Sequence, residues 1–208
     1  MMQRIPALTV DEMTSRQLEV YEQILSGRRS ALIGPLVAAI YSPDLARPWS
    51  ELGQYLRFDA DIPPRLKELA ITLIGRRWSS EVEWWVHSNL AIGEGISQDV
   101  MDAIRLGRAP VFTAEDEAEV YSFVRHIQLD GHVPQALYDA LKARLGLTPL
   151  IELGALVGYY NMVAITLNLH QIALPDGVQP AFSDMHCHRM ADLPEALQAN
   201  GAPWRWAA

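Results

Sequence analysis

The sequence predicts an all-α protein: a single-domain, multi-helix bundle of about eight or nine helices with an extended C-terminal tail. Apolar residues recur at helical spacing along most of the chain, and capping residues, prolines and glycines stand where the runs begin or end. No segment shows the sustained alternation of a β-strand, and no hairpin turn is flanked by β-branched runs. With 208 residues, 50% of them hydrophobic, the chain is long enough to bury a sizeable core.

The first four predicted helices occupy residues 14–27, 33–41, 44–58 and 64–78. The first begins at Thr14 and Gln17, which have the spacing of a capping box, and ends at Gly27. Pro48 must lie in the first turn of the third helix or kink it. One face of the fourth helix is apolar, with Leu66, Leu69, Ala70, Leu73 and Ile74 at helical intervals.

The remaining predicted helices occupy residues 80–93, 97–107, 113–126, 134–145 and 148–169. Ser79 or Ser80 is suited to cap the first of these, and Ser97 begins the second. Thr113 with Asp116 forms a cap-like start for the third. The last helix is strongly apolar but is interrupted by polar side chains, which favours a helix buried in the protein over a membrane span.

The chain consists of two regions that differ in helical periodicity and proline content. We assign residues 1–177 to the helical domain and residues 178–208 to a C-terminal extension, which contains several prolines and little periodicity. The extension also carries Phe182, Trp204 and Trp206, which are costly to leave in water. We therefore expect it to pack on its own subunit or on a neighbouring one.

Composition excludes several classes of function. A formal charge of −8 argues against a nucleic-acid partner, because phosphate binding depends on clustered Lys and Arg. The single cysteine, Cys187, allows no intrachain disulfide, no CxxC redox pair and no four-cysteine zinc site. The N-terminus lacks the apolar run of a signal peptide. We expect a cytoplasmic protein with a small-molecule substrate and no membrane partner.

Glu83 and His87 are the first candidates for catalytic residues. They stand four residues apart on one predicted helix, so they share a face and are within reach of a hydrogen bond. A carboxylate beside an imidazole is suited to acid/base catalysis near neutral pH. The same spacing also fits an ordinary pair on a helix surface. One of Trp84 and Trp85 must lie next to this face and would exclude water from it, although two tryptophans more often serve a core or a subunit interface.

The segments RLKELAI (65–71) and EWWVHSNLAIGEGIS (83–97) resemble the carboxymuconolactone decarboxylase family, which also contains the alkyl hydroperoxidase D (AhpD) proteins. The resemblance extends over residues 4–177 and includes GYYNMVAITLNLHQIALPDG (158–177). In the family motif, a Glu on one helix is followed by two catalytic positions three apart and by a His four residues further on. Glu68, Ser80, Glu83 and His87 stand at the matching intervals.

The resemblance implies an AhpD-like helical bundle that needs no cofactor and assembles as a homo-oligomer, a trimer or a hexamer. It implies that His87 is the general acid/base, that Glu83 is its partner or a second proton relay, and that Glu68 orients them from the neighbouring helix. In the peroxidase branch the two positions three apart are cysteines, whereas Ser80 and Glu83 stand there in this chain. This argues against dithiol peroxidase activity and favours a decarboxylase-like lyase or isomerase, acting on a small organic acid or lactone in aromatic catabolism.

Other polar residues are candidates for substrate binding. An anionic substrate needs a cation, and Arg76 or Arg77 is nearest in sequence, although either is equally suited to face solvent or to form a salt bridge. Ser80 and Trp84 belong to the matched segment, and His170 ends the last helix, where it either faces the cavity of His87 or is an ordinary core histidine. One of Tyr159, Tyr160 and Asn161 is able to line a pocket, but core packing is the usual role of such residues.

Two alternatives remain open. His186, Cys187 and His188 have the ligand chemistry of a zinc or copper site, with His170 or Asp184 as a further ligand, which would make the protein a metal-dependent enzyme. The other alternative is a non-catalytic, oligomeric small-molecule-binding protein that kept the fold without the redox cysteines.

Overall fold

The computed structural model describes residues 3–28, 31–182 and 190–206. Over these residues the chain forms nine α-helices: α1 Ser15–Ser26, α2 Leu36–Ala39, α3 Pro43–Gln54, α4 Pro64–Arg77, α5 Glu81–Gly93, α6 Gln98–Arg105, α7 Glu115–Asp130, α8 Gln135–Leu145 and α9 Leu147–His170. A 3-10 helix, Val10–Glu12, precedes α1, and a π-helical segment, Tyr55–Asp59, continues α3. The two short strands β1 Val111–Phe112 and β2 Leu197–Gln198 pair in parallel. The all-α prediction is confirmed.

Helix α4 lies at the centre of the bundle, in contact with α5, α7 and α9. Every residue from Leu66 to Arg76 is buried, so the polar side chains of this helix are enclosed together with its apolar face. Helices α4 and α5 are joined by a short turn in which Ser79 has a φ of 47°, a left-handed conformation that is strained for a residue with a Cβ. The turn folds α5 back along α4 and brings the polar residues of both helices together.

The helix boundaries follow local capping chemistry, with three differences from the sequence-based expectations. Pro48 lies in the sixth position of α3, inside the helix, and the chain changes to π-helical geometry only at Tyr55. Ser80 is the N-cap of α5, but its side chain makes no capping hydrogen bond. Thr113 does not cap α7, whose N-cap is Ala114.

Helix α9 is 24 residues long and is the one helix in the described ranges that is long and apolar enough to cross a membrane. Of its most apolar 18-residue window, 56% is buried inside the protein. Length and composition alone do not distinguish a membrane-spanning helix from the central helix of a folded domain. The contacts of α9 with α4 and α8 place its inner face in the core.

Hydrogen bonds connect the described part of the C-terminal extension to α4 and α7 of the same chain. Arg77 Nη1 donates to the carbonyl of Ala191 at 2.6 Å, and Arg125 Nε donates to the carbonyl of Leu193 at 2.6 Å. The hydroxyl of Tyr121 donates to the carbonyl of Pro194 at 2.8 Å. These three bonds, with the burial of Leu193, hold residues 191–194 against the helical bundle.

Replacing Tyr121 by phenylalanine should lower the free energy of unfolding by about 1–2 kcal/mol, because the carbonyl of Pro194 would lose its buried donor. Urea unfolding measures the change. Tyr138→Phe is the matched control, since Tyr138 is 36% exposed on α8, and it should have almost no effect. Equal destabilisation by the two variants would show that the Tyr121–Pro194 bond does not secure the extension.

Candidate functional site

Glu68 and His87 form a buried pair across the α4–α5 contact. The distance from Glu68 Oε2 to His87 Nδ1 is 2.6 Å, and the two side chains are only 9% and 7% exposed. A carboxylate at Nδ1 favours the tautomer with its proton on that nitrogen and stabilises the imidazolium ion. In that tautomer Nε2 carries the lone pair and is the ring nitrogen that accepts a proton.

Glu83 is buried beside this pair without forming a hydrogen bond to it. The residue is 2% exposed, and neither carboxyl oxygen has a hydrogen-bond partner among the described residues. Its side chain lies against the backbone of α4, since a Cβ on Gly75 would be 3.4 Å from Glu83 Cγ. Burial raises the pKa of Glu83 well above its usual value, which favours the neutral carboxylic acid. The partner of His87 at Nδ1 is therefore Glu68, and Glu83 is a separate acidic group.

Two hydroxyl groups near Glu83 also lack partners. The Oγ of Ser80 and the Oγ1 of Thr72 are buried and make no hydrogen bond within the described residues. Ser80 lies three residues before Glu83, and Thr72 lies one turn after Glu68 on the face of α4 that includes Gly75. Buried polar atoms without partners are rare in folded proteins. Their grouping with the Glu83 carboxyl along one helix contact marks a polar site inside the bundle.

Tyr160 of α9 completes the site. Its ring lies 5.1 Å from the imidazole of His87 at an angle of 85°, an edge-to-face contact, and the ring of Tyr159 lies 5.3 Å from that of Tyr160. Burial raises the pKa of Tyr160, and the nearby carboxyl groups of Glu68 and Glu83 act in the same direction. The phenol therefore stays neutral and is available as a hydrogen-bond donor.

Arg76 and Arg77 are held by partners elsewhere in the fold. Arg76 is buried, donates to the carbonyl of Ile104 at 3.2 Å and to Ser79 Oγ at 3.0 Å, and stacks over the ring of Phe182 at 4.8 Å. Arg77 donates to Ala191 in the extension. A role for either in binding substrate stays a prediction.

Another basic residue, Arg57 of the π-helical segment, has its charge close enough to Tyr160 to oppose the rise in the pKa of that residue. The backbone carbonyl of Arg57 accepts a hydrogen bond from Lys67 Nζ at 2.9 Å. Lys67 directly precedes Glu68, so this bond holds the π-helical segment beside the part of α4 that carries the pair. The guanidinium of Arg57 itself lies 5.4 Å from the centroid of the Phe58 ring.

Trp84 and His170 occupy different environments. Trp84 follows Glu83, is 5% exposed and packs edge-to-face on Phe182, with ring centroids 5.3 Å apart. His170 ends α9, ten residues after Tyr160, which corresponds to about 15 Å along the helix axis. The structure therefore does not bring His170 to the His87 pair.

The metal-ligand candidates His186, Cys187 and His188 lie outside the described residues. Within residues 3–28, 31–182 and 190–206, no group of three or more His, Cys, Asp or Glu side chains is arranged to hold a metal ion.

Ala181 and Phe182 cover the beginning of α5. The Glu81 carboxylate accepts hydrogen bonds from the backbone nitrogens of Ala181, at 2.7 Å, and Phe182, at 3.0 Å. The Phe182 ring is fully buried against Trp84 and Arg76. Two surface depressions, of about 270 Å³ between α7 and the extension and about 210 Å³ between α1 and α3, lie elsewhere.

Sequence reasoning did not identify Thr72 and Arg57, and it treated Tyr160 chiefly as a core residue. Thr72 stands four residues after Glu68, so the helical spacing places it on the same face of α4 once Glu68 is recognised as a site residue. Arg57 and Tyr160 come from segments distant in sequence, and no local pattern connects them to His87.

No protein-family model matches the chain, and no curated protein does. The search of solved structures does find similar folds. One is the crystal structure of a protein of unknown function from Agrobacterium tumefaciens, for which the name of the antioxidant defence protein AhpD has been suggested. The match has a TM-score of 0.57 at 15% sequence identity and covers 68% of this chain and 97% of that protein. At this identity the match speaks to the fold alone, and the chain has the AhpD-like fold.

Proposed function

We propose that the protein is a cofactor-free acid/base enzyme, a decarboxylase-like lyase or an isomerase, that acts on a small organic acid or lactone. The observation that supports this most strongly is the buried Glu68–His87 pair beside the unpartnered carboxyl of Glu83. Acid/base enzymes use such an arrangement, a histidine base together with a buried carboxyl group, to hold a base and an acid in one site.

In the proposed reaction His87 is the base. Glu68 holds its Nδ1 proton, so Nε2 takes a proton from the substrate, and the carboxylate stabilises the imidazolium ion that results. Glu83, protonated, donates a hydrogen bond or a proton to the charge that develops on the substrate oxygen or carbon. Each of these two groups contributes about 10²–10⁴-fold to the rate in comparable acid/base reactions.

The substrate would be held by the polar groups that surround the pair. The hydroxyl groups of Ser80, Thr72 and Tyr160 are suited to orient a carbonyl or carboxyl oxygen. A substrate carboxylate would need a cation, and Arg57 is the candidate whose charge acts on Tyr160, although its guanidinium also contacts the Phe58 ring. The resemblance to the carboxymuconolactone decarboxylases supports a homo-oligomer in which these sites lie near subunit interfaces.

The proposal is tested by incubating the protein in D₂O with a panel of lactones and β-keto acids. Mass spectrometry of the recovered compounds should show loss of CO₂ or deuterium at a carbon next to the carbonyl. Heat-denatured protein gives the background. Saturable binding without turnover or exchange would favour the non-catalytic binding protein instead. Turnover that is abolished by a chelator and restored by zinc or copper would favour the metal-dependent alternative.

A further inference from the structure

The outer face of α9 carries an exposed stripe that no described residue covers. Leu147, Ile151, Ile165 and Leu169 are 49%, 63%, 44% and 56% exposed, which is unusual for large apolar side chains on one helix. Between them, Gly158 is exposed, and Gly154 and Met162 are half-buried. We call this set the α9 stripe: Leu147, Ile151, Gly154, Gly158, Met162, Ile165 and Leu169.

The α9 stripe is symmetric about Gly158. Its members stand 4, 7 and 11 residues before Gly158 and 4, 7 and 11 residues after it. When two copies of such a helix lie antiparallel with their Gly158 residues opposed, Ile151 of each faces Ile165 of the other, and Leu147 faces Leu169. Large side chains thus meet at the two ends, Met162 lies opposite Gly154, and the two Gly158 residues meet at the centre, as in an isologous two-fold contact, where one patch binds itself.

The lack of exposed charge on α9 and the open space at its glycines both favour a second copy of this chain as the binding partner. Of the Asp, Glu, Lys and Arg side chains, α9 contains only Glu152, which is buried and accepts hydrogen bonds from Tyr55 and from the backbone of Asp61. No like charges would therefore oppose each other in a self-contact. Around Gly154 and Gly158, a Cβ would meet no atom within 4 Å, so a partner helix has open space for close approach.

A second apolar stripe enlarges the surface. Tyr41, Leu45, Leu52 and Tyr55 are 44%, 51%, 47% and 46% exposed and lie at helical intervals along and beside α3. Tyr55 bonds to Glu152 of α9 at one end. At the other end the N-terminal segment connects the helices, since Arg4 bonds to the carbonyl of His170 and Tyr41 bonds to the carbonyl of Pro6.

The combined area is sufficient for a dimer. The α9 helix of 24 residues is about 36 Å long, and the second stripe, residues 41–55, adds about 22 Å, so with a contact about 10 Å wide the two stripes bury roughly 600 Å² on each subunit. The total, about 1,200 Å², is at the lower end of the range for specific protein interfaces.

We infer that the α9 stripe is the centre of a two-fold interface with a second copy of this chain, with the α9 helices antiparallel and Gly158 at the axis. Assemblies built on this contact have an even number of subunits, such as a dimer or a hexamer, and a simple trimer is excluded. The inference is independent of the proposed enzymatic activity, because none of the stripe residues belongs to the polar site.

Light scattering coupled to size-exclusion chromatography tests the contact. The wild type should have at least twice the 23.3 kDa mass of the chain, and Ile151→Glu should reduce the mass at least two-fold. Leu129→Glu, at a 36% exposed leucine on α7, is the control and should keep the wild-type mass. Circular dichroism checks that both variants fold. A monomeric wild type at micromolar concentration, or an Ile151→Glu variant of wild-type mass, would overturn the inference.

Disulfide cross-linking in a Cys187→Ser background tests the register. Gly158→Cys should form a covalent dimer under oxidation, because two such residues meet at the axis and the position has open space. Ile165→Cys should not, because its two copies would lie about 21 Å apart along the helices, beyond the reach of a disulfide. Equal cross-linking of the two variants would overturn the antiparallel arrangement. Binding of monomeric protein to phosphatidylcholine vesicles, lost in Ile151→Glu, would show a membrane surface instead and would also overturn it.

Discussion

Replacing His87 by alanine should lower kcat at least 100-fold without unfolding the protein. The imidazole is the group that exchanges the proton in the proposed reaction, and removal of a general base typically costs about 10²–10⁴-fold. The variant also leaves the Glu68 carboxylate buried without its partner, 2.6 Å away in the wild type. We therefore expect some loss of stability along with the loss of turnover, and circular dichroism and urea unfolding separate the two effects.

His126→Ala is the matched control. His126 also has its Nδ1 beside a carboxylate, Asp130 Oδ2 at 2.9 Å, but this pair lies on the surface of α7, where Asp130 is 55% exposed. Its loss should leave kcat unchanged. If His87→Ala kept more than a tenth of the wild-type kcat on a substrate found by the D₂O experiment, His87 would not be the base.

Replacing Glu83 by leucine should abolish turnover and yet stabilise the protein at pH 8. A buried polar group without a partner costs about 1–3 kcal/mol, and leucine fills a similar volume with no polar atoms. The activity is lost because the proton donor of the proposed reaction is removed. This opposition between stability and activity is typical of a functional group held in an unfavourable environment.

The stability difference between Glu83→Leu and the wild type should depend on pH. Burial raises the pKa of Glu83 above the usual 4.5, so its contribution to wild-type stability is fully present below pH 4.5 and is lost as the pH rises toward and through the raised value. The advantage of Glu83→Leu over the wild type in urea unfolding should therefore be greater at pH 8 than at pH 5. Glu22→Leu, at an exposed glutamate of α1, should show no such pH-dependent advantage. An advantage of Glu83→Leu that is equal at the two pH values would mean that this carboxyl is not perturbed.

The helical architecture was predictable from the sequence because local signals mark most of the helix ends. Thr14 and Ser97 cap α1 and α6 through their side chains, as their spacing indicates. The burial of every residue of α4 from Leu66 to Arg76 was not predictable, because Lys67, Glu68, Thr72 and Arg76 interrupt its apolar pattern like residues of a solvent-exposed face. Only the packing of α5, α7 and α9 around α4 encloses these polar groups.

The candidate site was predictable to the extent that its residues share a short motif. Glu68, Ser80, Glu83 and His87 lie within 20 residues, and the resemblance to a known family connected them. Which carboxyl pairs with His87 depends on how α4 and α5 cross, and the choice of Glu68 over Glu83 is a property of tertiary structure. Tyr160 lies more than 70 residues beyond His87, so its edge-to-face contact has no local signal.

The proposed mechanism depends on the protonation state of Glu83 at pH 7, since a neutral carboxylic acid beside the Glu68–His87 pair gives the site both a proton donor and a base. Infrared difference spectroscopy of the wild type against Glu83→Gln measures it directly. We expect the wild type to show the C=O stretching band of a protonated carboxylic acid at pH 7 and the variant to lack it. A difference spectrum with only the bands of an ionised carboxylate would contradict the proposed mechanism.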